Sequence, residues 1–197
     1  MSATKFLSLS DPRFNSLFVE FRHTAYRLET LQTYDVSYEQ EAFDRFLVGG
    51  PRGRFSGIED WVDMVRAGVE EGKRFHRVHV LMEPLSDYIR FECAWSYRYT
   101  VAAGEDVRVI PVDEHEWPEG LPRVDYWLFD SVRLLIMNYT PEGTFLSAEL
   151  VDDPRRIVEA NYWRDQAVGL SVPFLEYAAG YDDLMLGRRK CECSRPG

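Results

Sequence analysis

The stretch Phe75-His76-Arg77-Val78-His79-Val80-Leu81-Met82 decides the fold of this chain. Val78, Val80 and Met82 alternate with His79 and Leu81, and the run is flanked by Lys73 and Arg74 on one side and Pro84 on the other, which is the pattern of a β-strand. From Leu85 onward the period changes. Tyr88, Phe91, Trp95 and Tyr99 fall at helical spacing, Ile89 and Cys93 widen the stripe, and Gly104 supplies a stop. Val107, Val109 and Ile110 then resume a strand. Strand, helix, strand is a βαβ unit, whose crossover is right-handed in nearly all proteins and sets the two strands parallel in one sheet.

Toward the amino terminus the spacing predicts helices. Asp11 and Pro12 read as a cap and first turn, followed by an apolar stripe of Phe14, Leu17, Phe18, Phe21, Ala25 and Leu28. Ser37 with Gln40, and Ser56 with Glu59, have capping-box spacing ahead of two further stripes, Phe43 to Leu47 and Ile58 to Val69. Residues 1–72 are thus expected to form a helical layer. Toward the carboxyl terminus, three β-rich runs, 124–129, 132–139 and 144–151, are separated by turn residues and predict an antiparallel meander. Asp153 and Pro154 open a last helix, with a restart at Pro173. The expected fold is a mixed α/β domain over residues 1–186, with 73–186 forming the βαβ unit, meander and helix, and 187–197 a disordered tail.

At 197 residues and 45% apolar, the chain can bury a core without disulfides or metals. Its net charge of -10 repels phosphate backbones and anionic lipid headgroups, so neither direct nucleic-acid binding nor a membrane role is expected. No run approaches the length of a membrane span and Met1 to Ser10 lack the build of a signal peptide, which leads to a cytoplasmic expectation. Cys93, Cys191 and Cys193 are too few for a disulfide scaffold.

Ligands of parallel sheets gather beyond the carboxyl ends of the strands, which directs attention to Glu83, Ser86 and Asp87 after the first strand and Asp113, Glu114 and His115 after the second. Carboxylates with a histidine could serve as acid and base, while Glu83 and Asp87 could equally cap the following helix. Arg77, Arg90 and Arg108 lie among acidic residues and read as ion pairs or as an anion pocket. Asp130, in the turn after the first meander strand, completes the candidate ligand-binding set of Arg77, Glu83, Asp87, Arg90, Arg108 and Asp130. His76 and His79 are three apart on a strand, project to opposite faces and cannot share a metal. No metal site, cofactor or catalytic residue is expected, because phosphate loops, nucleophile elbows and dinucleotide fingerprints are all missing from the sequence.

Four segments, Ala25 to Leu31, Arg77 to Glu92, Ala103 to Val109 and Asp125 to Asp130, resemble the signature of an actinobacterial domain-of-unknown-function family found with helix-turn-helix regulators. That resemblance implies a regulatory or sensing role with such a regulator as partner. No separate DNA-binding domain precedes Phe14, so any action on DNA is expected to run through that partner. The order of elements from Arg77 onward also resembles one half of a phospholipase D-type fold in the degenerate form used by some sensing domains. None of His23, His76, His79 or His115 has a lysine two residues on, so the resemblance does not extend to phosphodiesterase chemistry. The expected function is a non-enzymatic regulatory or interaction domain sensing a small molecule, with a small carboxylate-centred enzyme as the alternative.

Overall fold

The structure, a computed structural model, describes residues 4–113 and 116–181. Its centre is the expected βαβ unit. β3 (Arg74–Glu83) and β4 (Asp106–Asp113) pair in parallel from His76 opposite Asp106 to Glu83 opposite Asp113. Between them α4 (Asp87–Phe91), a π-helical segment (Glu92–Ser96) and α5 (Tyr97–Ala103) run on without a break. Ser86, not Glu83 or Asp87, caps the start by accepting the Ile89 N–H, and Gly104 ends the helix at a φ of 108° that its missing Cβ allows.

The helical reading of residues 1–72 requires correction. α1 (Pro12–Glu20) starts at the Asp11 cap as expected but ends at Phe21. Residues Thr24–Glu29 are β2, which pairs in parallel with β3 and in antiparallel with β5 (Asp125–Phe129). Ala25 and Leu28 continued the α1 spacing by coincidence. β2 is covered on both faces. A short β1 (Thr4–Phe6) also lies in this region. α2 (Gln40–Leu47) and α3 (Ser56–Glu70) stand where the stripes placed them, although neither Ser37 nor Ser56 caps them. They form a second crossover, so β2, β3 and β4 run parallel in succession.

β6 (Arg133–Tyr139) and β7 (Phe145–Val151) complete the meander, and β8 (Val172–Pro173) pairs with β4. The eight strands form one sheet in the order β1-β7-β6-β5-β2-β3-β4-β8. One face packs against α1 to α5 and α7 (Phe174–Ala178) through two apolar clusters, one around Phe91 and Trp95, the other around Phe18, Trp127 and Phe129. The opposite face buries Tyr26, Leu28, Val78, Val80 and Ile110 beneath α6 (Pro154–Leu170), which Asp153 caps. His76 and His79 fall on opposite faces, as their spacing required. Among the described residues no helix is long and apolar enough to cross a membrane.

The β6–β7 turn is seated against the loop after β2. Gly143 lies at φ 90°, its carbonyl accepts the Asp35 N–H, and a Cβ there would stand 2.4 Å from the Thr33 carbonyl oxygen. Gly120 has a similar φ of 83° but open space around it. Gly143→Ala should therefore lose about 2–4 kcal/mol in urea denaturation, against about 1 kcal/mol for Gly120→Ala. Equal losses would mean that the turn does not pack as described.

Candidate functional site

The sheet face beneath α1 to α5 carries, between its two apolar clusters, a row of charges. Arg27 and Glu29 come from β2, Arg77 and His79 from β3, and Asp125 from β5, with Arg27 directly opposite Arg77 in the register. Arg27 is 3% exposed and donates through Nη2 to Asp125 Oδ2 at 2.9 Å and through Nε to Glu29 Oε1 at 3.4 Å. Arg77 donates through Nη1 to Glu29 Oε2 at 2.9 Å and through Nε to Glu105 Oε1 at 2.7 Å. Helical-layer side chains close the ends. Trp61 of α3 donates its indole N–H to Glu105, and Tyr34 donates its hydroxyl to Asp125 at 2.5 Å, while Thr30 gives Asp125 both its N–H and its hydroxyl.

Burial opposes ionisation of Glu29, but Arg77 and then Arg27 outweigh it and hold its carboxyl at about 2. Burial likewise opposes the charge on Arg77, and Glu105 and Glu29 reverse the balance, leaving it firmly cationic. His79 is different. Burial pushes its pKa down, its Nε2 lies 2.7 Å from the Leu31 carbonyl oxygen and its Nδ1 lies 2.6 Å from the Tyr97 hydroxyl. A neutral ring with its proton on Nε2 satisfies both contacts, donating to Leu31 and accepting from Tyr97.

Beside this network the π-helical segment brings Glu92 toward Glu39, the residue that precedes α2. Tyr88 donates its hydroxyl to Glu39 at 2.8 Å. Burial, then the charges of Glu39 and Glu29, push the Glu92 carboxyl far above the usual range, while burial raises Glu39 to about 7.

A pocket of about 380 Å³ opens at the carboxyl edge of β3 and β4, lined by Glu83, Pro111, Val112, Asp113, Glu116, Trp117 and Pro118. That volume lies within the range of small-molecule sites. Glu83 Oε1 accepts hydroxyl donors from Tyr177 of α7 at 2.7 Å and Tyr181 at 2.6 Å. Trp117 donates to the Leu121 carbonyl and carries the Arg123 guanidinium over its ring at 4.1 Å. Three carboxylates and an indole thus share one concave edge.

The six residues nominated from sequence do not converge. Glu83 lines the edge pocket, and Arg90, in the last turn of α4, acts electrostatically on Tyr181, which binds Glu83. Arg77 belongs to the interior network. Asp87 sits in the first turn of α4. Arg108 points to the opposite sheet face, where it donates to Ser171 Oγ and O. Asp130 lies at the amino end of β2, where its carboxylate accepts the N–H groups of Arg22, His23 and Thr24, and these donors overcome burial to lower its pKa. Glu114 and His115 lie outside the described residues, as do Cys191, Cys193 and the 187–197 tail. Sequence reasoning missed Arg27, Glu29, Glu39, Glu116 and Asp125. The alternation of Ala25, Arg27 and Glu29 was the available signal for the first two. Among the described residues no group of three or more His, Cys, Asp or Glu side chains is placed to hold a metal ion.

Comparison with known proteins places residues 12–179 within a family profile described as "Domain of unknown function (DUF6879)". No curated protein matches the chain. Among solved structures, TrmBL2, an archaeal chromatin protein with a novel mode of DNA binding, superposes with a TM-score of 0.46 at 8% identity over 87% of this chain and 54% of that one. Phosphatidylserine synthase from Haemophilus influenzae gives 0.45 at 11% identity over 89% and 40%. The chain spans about half or less of each, and nothing of their activities transfers with likenesses of this size.

The Glu39–Glu92 pair yields a pH dependence. A carboxyl whose folded pKa is raised from 4.5 to about 7 binds its proton more tightly folded than unfolded, so stability falls as pH rises through that window and levels off above it. Urea denaturation should show the protein less stable at pH 8 than at pH 5. Glu92→Gln should flatten that slope by removing one of the two carboxyls whose pKa is raised by folding; an unchanged slope would show that Glu92 does not contribute to it. Asp130→Ala should cost about 2 kcal/mol or more by orphaning three amides, measured the same way.

Proposed function

The chain belongs to the DUF6879 family, and we propose that it is a non-enzymatic regulatory domain that binds a small cationic molecule at the carboxyl edge of β3 and β4 and acts with a helix-turn-helix transcriptional regulator. The observation that carries the reading is the pocket that Glu83, Asp113 and Glu116 line together with Trp117. Three carboxylates at one concave edge attract an ammonium or guanidinium group, and the indole offers an apolar wall for its carbon skeleton. The location agrees with the general rule that ligands of parallel strands bind beyond their carboxyl ends.

Glu83 also supplies a means of response. Its carboxylate holds Tyr177 of α7 and Tyr181, so a cation that draws Glu83 into the pocket competes with those hydroxyls and loosens α7 from the sheet edge. The surface of α7 then reports the ligand to a partner. The regulator as partner is supported by the resemblance carried in Ala25 to Leu31, Arg77 to Glu92, Ala103 to Val109 and Asp125 to Asp130. Action through a partner also suits a chain of net charge -10, which DNA repels. A carboxylate-centred enzyme using Glu83 with Asp87 has less support, because Asp87 is not among the residues lining the pocket.

Isothermal titration with putrescine and spermidine tests the pocket. Wild-type protein should bind one of them with a change in tryptophan fluorescence, and Glu83→Gln and Glu116→Gln should each weaken that binding about tenfold, the loss of one charge-assisted contact. Absence of binding by the wild type, or binding by both variants as tight as by the wild type, overturns the cationic site. Copurification from the native host tests the partner, which fails if no helix-turn-helix protein is retained.

A further inference from the structure

The loop between α2 and α3 brings Arg52 and Arg54 together beside Arg45 of α2 and Arg98 of α5. Arg52 and Arg54 are exposed and bring their guanidinium carbons to 5.6 Å each from the Tyr99 ring centroid on α5. The neighbouring Arg98 guanidinium is held less basic than usual, first by burial and then by the charge of Arg52. Arg45 of α2 lies over the Trp95 ring at 5.3 Å, its buried Nε has no hydrogen-bond partner, and its ion pair with the exposed Glu41 is loose at 3.8 Å. Glycines draw the loop onto it. A Cβ on Gly50 would stand 2.6 Å from Arg45 Cγ, and one on Gly53 3.7 Å from Arg45 Nη2.

Among the described residues neither Arg52 nor Arg54 has a carboxylate within ion-pair distance; exposed Arg22, Arg155 and Arg156 share that lack, but only Arg52 and Arg54 converge on one aromatic ring, Tyr99. Guanidinium groups held this close repel one another, and a bound anion relieves that repulsion.

We propose that Arg52 and Arg54, with Arg45 and Arg98 beside them, form a binding site for a compact multivalent oxyanion of the phosphate class. Guanidinium forks match pairs of phosphate oxygens, and two of them on one short loop can take a dianion from two sides. The patch is small and the chain as a whole carries a net charge of -10, so an extended nucleic acid or acidic chain meets overall repulsion, while a compact anion confines its charge to the patch. This site does not involve Glu83 or its pocket, and its standing is independent of the cationic ligand proposed there.

Inorganic pyrophosphate is the probe, titrated calorimetrically into the intact chain at 50 and 150 mM NaCl. Wild-type protein should bind it, more weakly at the higher salt. The double substitution Arg52→Ala and Arg54→Ala should weaken binding at least tenfold, and the Lys pair at the same positions should fall between the two, since charge remains but the fork is lost. The control pair Arg155→Ala and Arg156→Ala on α6 should bind as the wild type does. Both loop side chains are exposed, so thermal melting should be unchanged; if the double variant does not fold, single Arg52→Gln and Arg54→Gln substitutions carry the same expectation with smaller losses. No binding of pyrophosphate by the wild type, undiminished binding by the loop variants, or tighter binding of duplex DNA or a polyglutamate peptide than of pyrophosphate would each overturn the proposal.

Discussion

Two arginines buried beneath a helical layer constrain everything around them. An unpaired guanidinium in that interior would cost several kcal/mol, so Arg27 and Arg77 are tenable only while Asp125, Glu29 and Glu105 stay in place. Those partners come from β5, from β2 and from the residue just before β4. The pairing therefore specifies which strands are neighbours and in what register, since a slip of one residue would turn Arg27 and Glu29 toward α6 and bring Tyr26 and Leu28 to the charged side. Trp61 and Tyr34 extend the same bonds into the segments above the sheet, fixing α3 and the loop after β2 on it. The network also divides the apolar packing, with one cluster around Phe91 and Trp95 and the other around Phe18 and Trp127.

The features assigned to function lie outside this centre but depend on its geometry. Glu83 is on the same face of β3 as Arg77, three alternations further along, where the strand leaves the covered interior and reaches the open carboxyl edge. The Glu39–Glu92 pair borders the network on another side, and there the arginines no longer suffice. Arg77 and Arg27 outweigh burial and hold Glu29 ionised near 2, while burial, then the charges of Glu39 and Glu29, push the Glu92 carboxyl far above the usual range. Arg52 and Arg54 of the α2–α3 loop stand on the outside of the same helical layer, and among the described residues neither has a carboxylate within ion-pair distance.

Much of this architecture was legible where local signals agreed. The β3–α4–α5–β4 unit, the meander and the Asp153 cap of α6 followed from alternation, helical spacing and turn residues that all pointed one way. β2 was hard to read, because Ala25 and Leu28 continued the stripe of α1 and masked the short alternation of Arg27 and Glu29 with Tyr26 and Leu28. Losing β2 concealed Arg27 and Glu29, and with them the function of Arg77, which then read as one of three scattered arginines. The edge pocket was half visible. Parallel strands directed attention to Glu83 and Asp113, whereas Glu116 and Trp117 lie in a loop whose fold over the edge no local pattern encodes. Arg108 and Asp130 were sound as polar residues with partners, but sequence spacing could not show that they serve the far face and the opposite end of the sheet.

A double-mutant cycle between Arg27 and Asp125 tests the central claim most directly. With Arg27→Met and Asp125→Leu, each single substitution strands a buried charge and should cost about 3–5 kcal/mol in denaturant unfolding, while the pair together should cost at least about 2 kcal/mol less than the two losses combined. Strictly additive losses would contradict the account, because they would mean that the two side chains do not meet and that the register of β2 against β5 rests on something other than their charges.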